Sequence, residues 1–242
     1  MAKTVDEIEI NAGRARRPGR KSGGAEIAQA LSGEASLLMA ALSAAWSASL
    51  IRTSIFLAVL SAAGVALGIV AQGGMGIEGF RRFALIILPI VLFLGLATFI
   101  RLVQVQRESI VYITGLNRIR HFILQRVPES RPYFVLPAHD DEAALYRSPG
   151  TGMTLRPPRF RLVYLLVQTQ GVVGLLNAVV AAGIGGMLAE TVAAGTGWAA
   201  AVLSFVVVLA GQLAYWQRSL AELLRSIRPI SPTPPDEFGA PF

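Results

Sequence analysis

Four stretches of this chain carry no charged side chain over about eighteen residues or more, and they restrict its fold more than any other feature. They are Thr53 to Gln72 ("TSIFLAVLSAAGVALGIVAQ"), Phe83 to Ile100 ("FALIILPIVLFLGLATFI"), Leu162 to about Leu188, and Trp198 to Trp216. At about 1.5 Å of rise per residue each is long enough to cross a hydrocarbon layer of about 30 Å. In hydrocarbon every backbone amide must be paired internally, which makes each stretch a helix. The competing arrangement, four helices buried in a large soluble core, needs polar faces at period 3.6 on the surrounding elements. With 53% apolar and 15% charged residues, the chain has too few of them.

The basic residues orient the spans. Of 22 lysines and arginines, seven lie in residues 1–52, ten in 101–161 and three in 218–242. The loop between spans one and two holds only Arg81 and Arg82, and the loop between spans three and four holds none. The positive-inside bias predicts a multi-pass protein of the cell inner (plasma) membrane, with both termini and the central loop cytoplasmic. Arginine outnumbers lysine twenty to two, in keeping with a GC-rich bacterial genome. The expected fold class is all-α: four transmembrane helices as two hairpins, with an amphipathic cytosolic helix between them. Its parts are a disordered basic tail (1–24), an interfacial helix (25–52), hairpin one (53–103), a cytosolic helix and Pro-rich loop (104–161), hairpin two (162–217) and a C-terminal tail (218–242).

The stretch that follows span two runs without a helix stop to Pro128, and Tyr112, Leu116, Ile119, Ile123 and Val127 form a one-sided apolar stripe. Arg107, Arg118, Arg120, His121 and Arg126 supply its basic character. Solvation on the positive side explains them more economically than nucleic-acid binding, and anionic lipid headgroups are the expected polyvalent partner beside the bilayer itself. Gly115 weakens this helix by about 1 kcal/mol, so a bend or a close approach is expected there. In residues 25–50, Leu31, Leu38 and Ala45, with Ala35, Leu42 and Ser49, recur every seven residues. Their face lies against the membrane or the central helix, or else serves self-association in a homo-oligomer.

Few residues suggest chemistry. The chain has no cysteine, which excludes disulfides, thiolate ligands and cysteine nucleophiles. It contains no nucleophile elbow, no zinc-protease motif and no phosphate-binding glycine loop, and nothing points to a cofactor. "HDDE" (residues 139–142) is the only cluster of acids and histidine. His139 and Asp141 are candidate ligands of a divalent ion, although adjacent side chains diverge; the alternative is an N-cap from Asp140 or Asp141. No charged group lies near the centre of a span, which counts against an ion-coupled pump.

Polar and small residues do line the spans. Gln170, Gly174, Asn177 and Ala181 share one face of the third, and Gly174, Ala178, Ala182 and Gly186 form a small-residue series. Ser61, Gly64, Gly68 and Gln72 line the first, and Ser204, Gly211 and Gln212 the fourth. Such faces serve helix packing, or else a pore in an oligomer lined by Gln170, Asn177 and Gln212. The second span, with only Gly95 and Thr98 of this kind, is expected to face lipid and to kink at Pro89.

The run "GLNRIRHFIL" followed by "PYFVLPAHDDE" resembles a motif of uncharacterised bacterial four-pass integral membrane proteins, over residues 100–145. The resemblance implies four crossings and no catalytic role. It directs attention to Asn117, Arg118, Arg120, His121, Tyr133, Phe134 and Asp140. Together these features suggest a non-enzymatic membrane protein whose cytosolic helix and loop contact a protein partner.

Overall fold

The computed structural model describes residues 22–74, 76–153 and 158–234. The expectation of disorder over 1–24 therefore falls almost wholly outside the described residues. Every regular element among them is helical: α1 (Ser22–Gln72), α2 (Gly76–Arg126), a 3-10 turn (Pro128–Tyr133), α3 (Glu142–Arg147), α4 (Pro158–Val167), α5 (Thr169–Val192) and α6 (Gly197–Ser226). Four of these, α1, α2, α5 and α6, are long and apolar enough to cross a membrane.

Three of these helices, α1, α2 and α6, are longer than the apolar runs that reveal them. The segment expected as a separate interfacial helix and the first apolar run form one helix, α1, and the second run continues into the basic stretch as α2. No turn residue interrupts either, so nothing in the backbone separates an apolar half from a polar half. Pro89 lies inside α2 without ending it; such prolines are tolerated where neighbouring groups satisfy the freed carbonyl. Between α1 and α2 the chain turns at Gly74 and Gly76, whose φ angles of 74° and 66° favour glycine.

Close contacts divide the chain into Met1–Leu37 and Leu38–Phe242. The described part of the first unit is helical, with Ser36 Oγ donating back to the Ser32 carbonyl at 2.9 Å. In the second unit, α2 is the central element: one of its faces is buried, while Ile86, Ile90 and Phe93 remain exposed on the other. Its residues Ala84, Leu88, Val91, Gly95 and Phe99 are buried, and α2 packs against α5, which packs in turn against α6. Gly95 permits this: a Cβ there would collide with Asn177 of α5 and Phe56 of α1. Side chains of α1 and α5 thus meet α2 at the one position where it has no side chain.

Two apolar cores result. The larger joins Phe56, Leu88, Val91, Phe99, Val173 and Trp216. The smaller joins Ile110 and Ile113 of α2, Leu145 of α3, Met153 and Leu223 of α6, with Leu42 of α1 packed against it. Leu42 and Leu38, whose Cδ1 would lie 3.1 Å from a Cβ at Gly115, belong to the heptad pattern of α1. From Leu38 onward that pattern therefore faces the chain's own α2, and Gly115 makes room for a side chain and not for a backbone. By contrast Gly64, Gly68 and Gly211 have no neighbour within 4 Å, so these small-residue positions serve no packing within the described chain.

The third apolar run is not one helix. Gln168, at φ −65° and ψ 154°, is extended and separates α4 from α5. Gly171 follows the break, and a Cβ there would run into the Leu165 carbonyl. Gly171 and the polar Gln168 and Gln170 are the local signal, masked in the sequence by the absence of charge on either side.

Candidate functional site

The buried face of α2 beyond Arg101 differs from the apolar stripe read in the sequence. Of that stripe only Leu116 is fully buried, while Gln106, Ser109, Thr114 and Asn117 are buried as well. These polar side chains are inside because each finds a partner. Ser109 and Thr114 bond back to carbonyls four residues earlier, Val105 and Ile110. Gln106 Nε2 donates to the Thr151 carbonyl at 2.9 Å, and its Oε1 accepts from Gln170 Nε2 at 2.9 Å and Trp216 Nε1 at 2.6 Å. One amide thereby ties α2 to the loop, to the start of α5 and to α6. Gln168 Nε2 adds a bond to the Gly152 carbonyl at 2.7 Å, so the loop seats in the gap between α4 and α5.

Further along α2 lies Asn117, with no exposed surface. Its Nδ2 donates to the His139 carbonyl at 2.9 Å and to Ser148 Oγ at 3.3 Å, and its Oδ1 accepts from Arg120 Nη1 at 2.6 Å. Arg120 reaches on to the Pro137 carbonyl at 3.4 Å. Burial lowers the Arg120 pKa, which a guanidinium tolerates while staying charged. The adjacent Arg118 pairs with Asp140 at 2.7 Å, Nε to Oδ2, and gives its Nη2 to the Arg228 carbonyl at 2.9 Å.

Asp140 is the centre of this arrangement, a fully buried carboxylate. Besides Arg118 it accepts from the Ile230 and Ser231 amides at 2.9 Å and 2.8 Å and from Ser231 Oγ at 3.1 Å. Desolvation alone would raise its pKa, but the Ile230 amide, Arg118 and Ser231 together outweigh that, and the carboxyl sits below its ordinary value. Its neighbour Asp141 caps α3 by accepting from the Ala144 amide at 3.2 Å. It also accepts from the Thr233 amide at 3.1 Å and Thr233 Oγ1 at 2.7 Å. The two aspartates thus fasten residues 228–233, which follow α6, onto the loop that follows α2.

The two aspartates of "HDDE" are therefore committed to Arg118 and to backbone and hydroxyl groups. Among the described residues no three His, Asp or Glu side chains group in a way that could hold a metal ion. The two histidines do come together, with ring centroids 5.5 Å apart and planes tilted by 56°. They border a cleft of about 360 Å³ whose wall also includes Arg131, Arg147, Leu124 and Pro137. Gln125 fixes the His121 ring through a 2.9 Å contact to Nε2, and His139 Nδ1 lies 3.2 Å from the Ser231 carbonyl. No Asp or Glu is among the described residues of that wall.

The remaining candidates are dispersed. Arg107 Nη1 donates to Ser219 Oγ of α6 at 3.1 Å. Arg126 stacks on Phe122, its guanidinium carbon 4.6 Å from the ring centre. Tyr133 is exposed, and half-buried Phe134 lines the cleft. Gln170, Asn177 and Gln212 are all buried; Asn177 Nδ2 donates to Gln212 Oε1 at 3.0 Å, while Gln170 turns to Gln106. Within one chain each of the three amides has a protein partner, although Asn177 Oδ1 accepts no hydrogen bond. Missed in the sequence are Gln106, Gly171 and Trp216, since a lone glutamine or tryptophan near a helix end carries no recognisable spacing.

The chain matches no family model, and no curated protein or solved structure is found similar to it.

Proposed function

We propose that this is a non-enzymatic, four-pass protein of the bacterial inner membrane that presents a preassembled cytosolic unit as a regulatory or interaction module. The spans pair as two hairpins, with both termini and residues 101–161 on the cytoplasmic side. The twenty-to-two distribution of basic residues supports this orientation. The observation that carries the reading is the Asp140 node. A buried carboxylate with an arginine, two amides and a hydroxyl around it fastens the segment after α6 to α2, outside the apolar runs. Buried polar networks of this kind rigidify a unit into one arrangement, which suits a preformed surface for recognition.

Anionic headgroups reach Arg107 more readily than Arg118, Arg120, His121 or Arg126. The last four lie seventeen or more residues past Arg101 along an unbroken helix, about 25 Å or more from the end of the span. The pore reading is weaker on this geometry, because Gln170, Asn177 and Gln212 are buried within one chain.

The absence of cysteine makes the test direct. Ser130→Cys and Ala194→Cys should label from opposite sides, the former only from the cytoplasm, with an impermeant maleimide on whole and inverted vesicles. Labelling of Ser130→Cys from outside refutes the orientation. Crosslinking through the thiol of the same Ser130→Cys variant should capture a specific cytosolic protein, and capture of none across growth conditions refutes the interaction role.

A further inference from the structure

We propose that α4 lies on the cytoplasmic leaflet as an interfacial helix, with Val163 and Val167 sunk among lipids that carry anionic headgroups. The inference rests on the four-pass reading above and adds a lipid contact which that reading does not contain.

The first support is length. α5 alone has 24 residues, about 36 Å at 1.5 Å per residue, and crosses a hydrocarbon layer of about 30 Å unaided. The apolar residues of α4 are therefore surplus to the third crossing. They also leave its axis. Gln168 is extended, and a Cβ on Gly171 would meet the Leu165 carbonyl and the Leu166 Cα, an approach that one straight helix through both elements would not make.

The second is depth. Gln106 stands five residues past Arg101 on α2, about 8 Å at 1.5 Å per residue, and the headgroup region adds about 5–8 Å to each side of the hydrocarbon. Gln106 Nε2 donates to the Thr151 carbonyl at 2.9 Å, and Gln168 Nε2 donates to the neighbouring Gly152 carbonyl at 2.7 Å. The end of α4 is thereby held at the level where α2 leaves the hydrocarbon.

The third is the exposed face. Leu165 packs against the larger apolar core, while Val163 and Val167, one turn apart on the other side, are 59% and 73% exposed. The apolar medium at this depth is the leaflet, into which the apolar face of an interfacial helix sinks. Half-buried Tyr164 between them is of the type enriched at membrane–water boundaries. The sequence sets the headgroup: Arg156, Arg159 and Arg161 precede the valines, and no aspartate or glutamate occurs from 143 to 189. Basic residues beside a bilayer attract anionic lipid.

The test uses the full chain, which has no native cysteine, with a nitroxide at Val163→Cys or Val167→Cys. Exposed Val65 in α1 and exposed Glu129 beyond α2, each likewise replaced by cysteine, serve as the references for lipid and water. The chain is placed in nanodiscs of phosphatidylcholine, with and without phosphatidylglycerol. Power saturation compares collisions with oxygen, which concentrates in lipid, and with a water-soluble nickel chelate. Labels at 163 and 167 should favour oxygen, as at 65 but at shallower depth, whereas the label at 129 favours nickel. Phosphatidylglycerol should move both labels deeper, and Arg156→Gln/Arg159→Gln/Arg161→Gln should abolish that movement. An unchanged signal from position 65 in the triple variant separates this loss from loss of fold.

Labels at 163 and 167 that meet nickel as freely as the one at 129 overturn the proposal. So does a depth that ignores phosphatidylglycerol, or a movement that the triple variant retains. Shielding from both reagents also overturns it, in favour of a second copy where dipolar broadening disappears on dilution with unlabelled chain. If position 65 meets nickel as well, the spanning reading fails; if it stays in lipid while 163 and 167 meet water, only the placement of α4 fails.

Discussion

Asn177 of α5 and Gln212 of α6 meet amide to amide in the bundle interior, Nδ2 to Oε1 at 3.0 Å. Gln212 Nε2 continues to the Gly174 carbonyl at 3.2 Å, so the pair is anchored on α5. Asn177 Oδ1 has no hydrogen-bond partner and rests against Gly95 of α2. The contact exists because residue 95 has no side chain, and the amide pair holds α5 and α6 while the glycine admits α2.

Gly95→Ala should therefore destabilise the bundle by about 1–3 kcal/mol, the usual cost of overpacking a filled interior. Gly64→Ala is the control, since nothing lies within 4 Å of that position, and it should leave stability unchanged or slightly raised. Thermal unfolding of both variants in the same detergent checks the contrast. Equal stability of the two would refute the three-helix contact.

Gln106→Leu removes the acceptor of both Trp216 Nε1 and Gln170 Nε2 and the donor to the Thr151 carbonyl. Each buried group left unpaired costs about 1–3 kcal/mol. A loss of about 3 kcal/mol or more is expected, with a red-shifted Trp emission as the junction admits water. Unchanged stability and emission would contradict the tie between α2, α5 and α6.

Asp140→Asn keeps the size of the side chain but removes the charge that Arg118, Ile230 and Ser231 address. Hydrogen bonds to a charged group contribute about 1.5–3 kcal/mol each, and an amide retains part of them. A local loss of about 2–3 kcal/mol is expected, read as faster exchange of the Ile230 and Ser231 amides with α5 and α6 unchanged. Exchange that accelerates everywhere alike would mean that the node has no local role.

The same carboxyl makes local stability depend on pH. Its folded pKa lies below the ordinary value, and an unfolded aspartate titrates near about 3.9. The native state therefore holds the proton less tightly than the unfolded state. The contribution is fully present above about pH 5 and is lost as pH falls through the depressed folded value. Protection of Ile230 and Ser231, corrected for intrinsic exchange, should be flat from about pH 5 to pH 7 and decline below about pH 4. The Asp140→Asn variant should lack that decline, and a parent profile that stays flat to the lowest pH would refute the assignment.

What was legible in the sequence is what solvent alone dictates. Runs such as 53–72 and 83–100 are too long and too apolar for anything but helices, and each of the four runs contains most of a long helix or lies within one, the third being broken at Gln168. The helix stop before Pro128 was readable too, and of the two N-cap candidates, Asp140 and Asp141, the second caps α3; both are local effects of a few neighbouring atoms.

Only the tertiary structure decided which faces meet. The stripe through Tyr112 and Ile119 looked like the inner face of α2, yet those two are only partly buried while Gln106 and Asn117 are buried beside Ile110 and Ile113. Their distant partners include the Thr151 and His139 carbonyls, Gln170 and Trp216, 22 to 110 residues away. An apolar pattern assigns a polar residue to water because it cannot see a distant acceptor. Likewise Gly171 and Gln168 mark a helix break only once the loop at Gly152 fills it, and two aspartates resembling half of a metal site instead fasten the chain at residues 230–233. Hydrophobicity is summed over neighbours in the chain, whereas hydrogen bonding between remote groups is settled only when the fold brings them together.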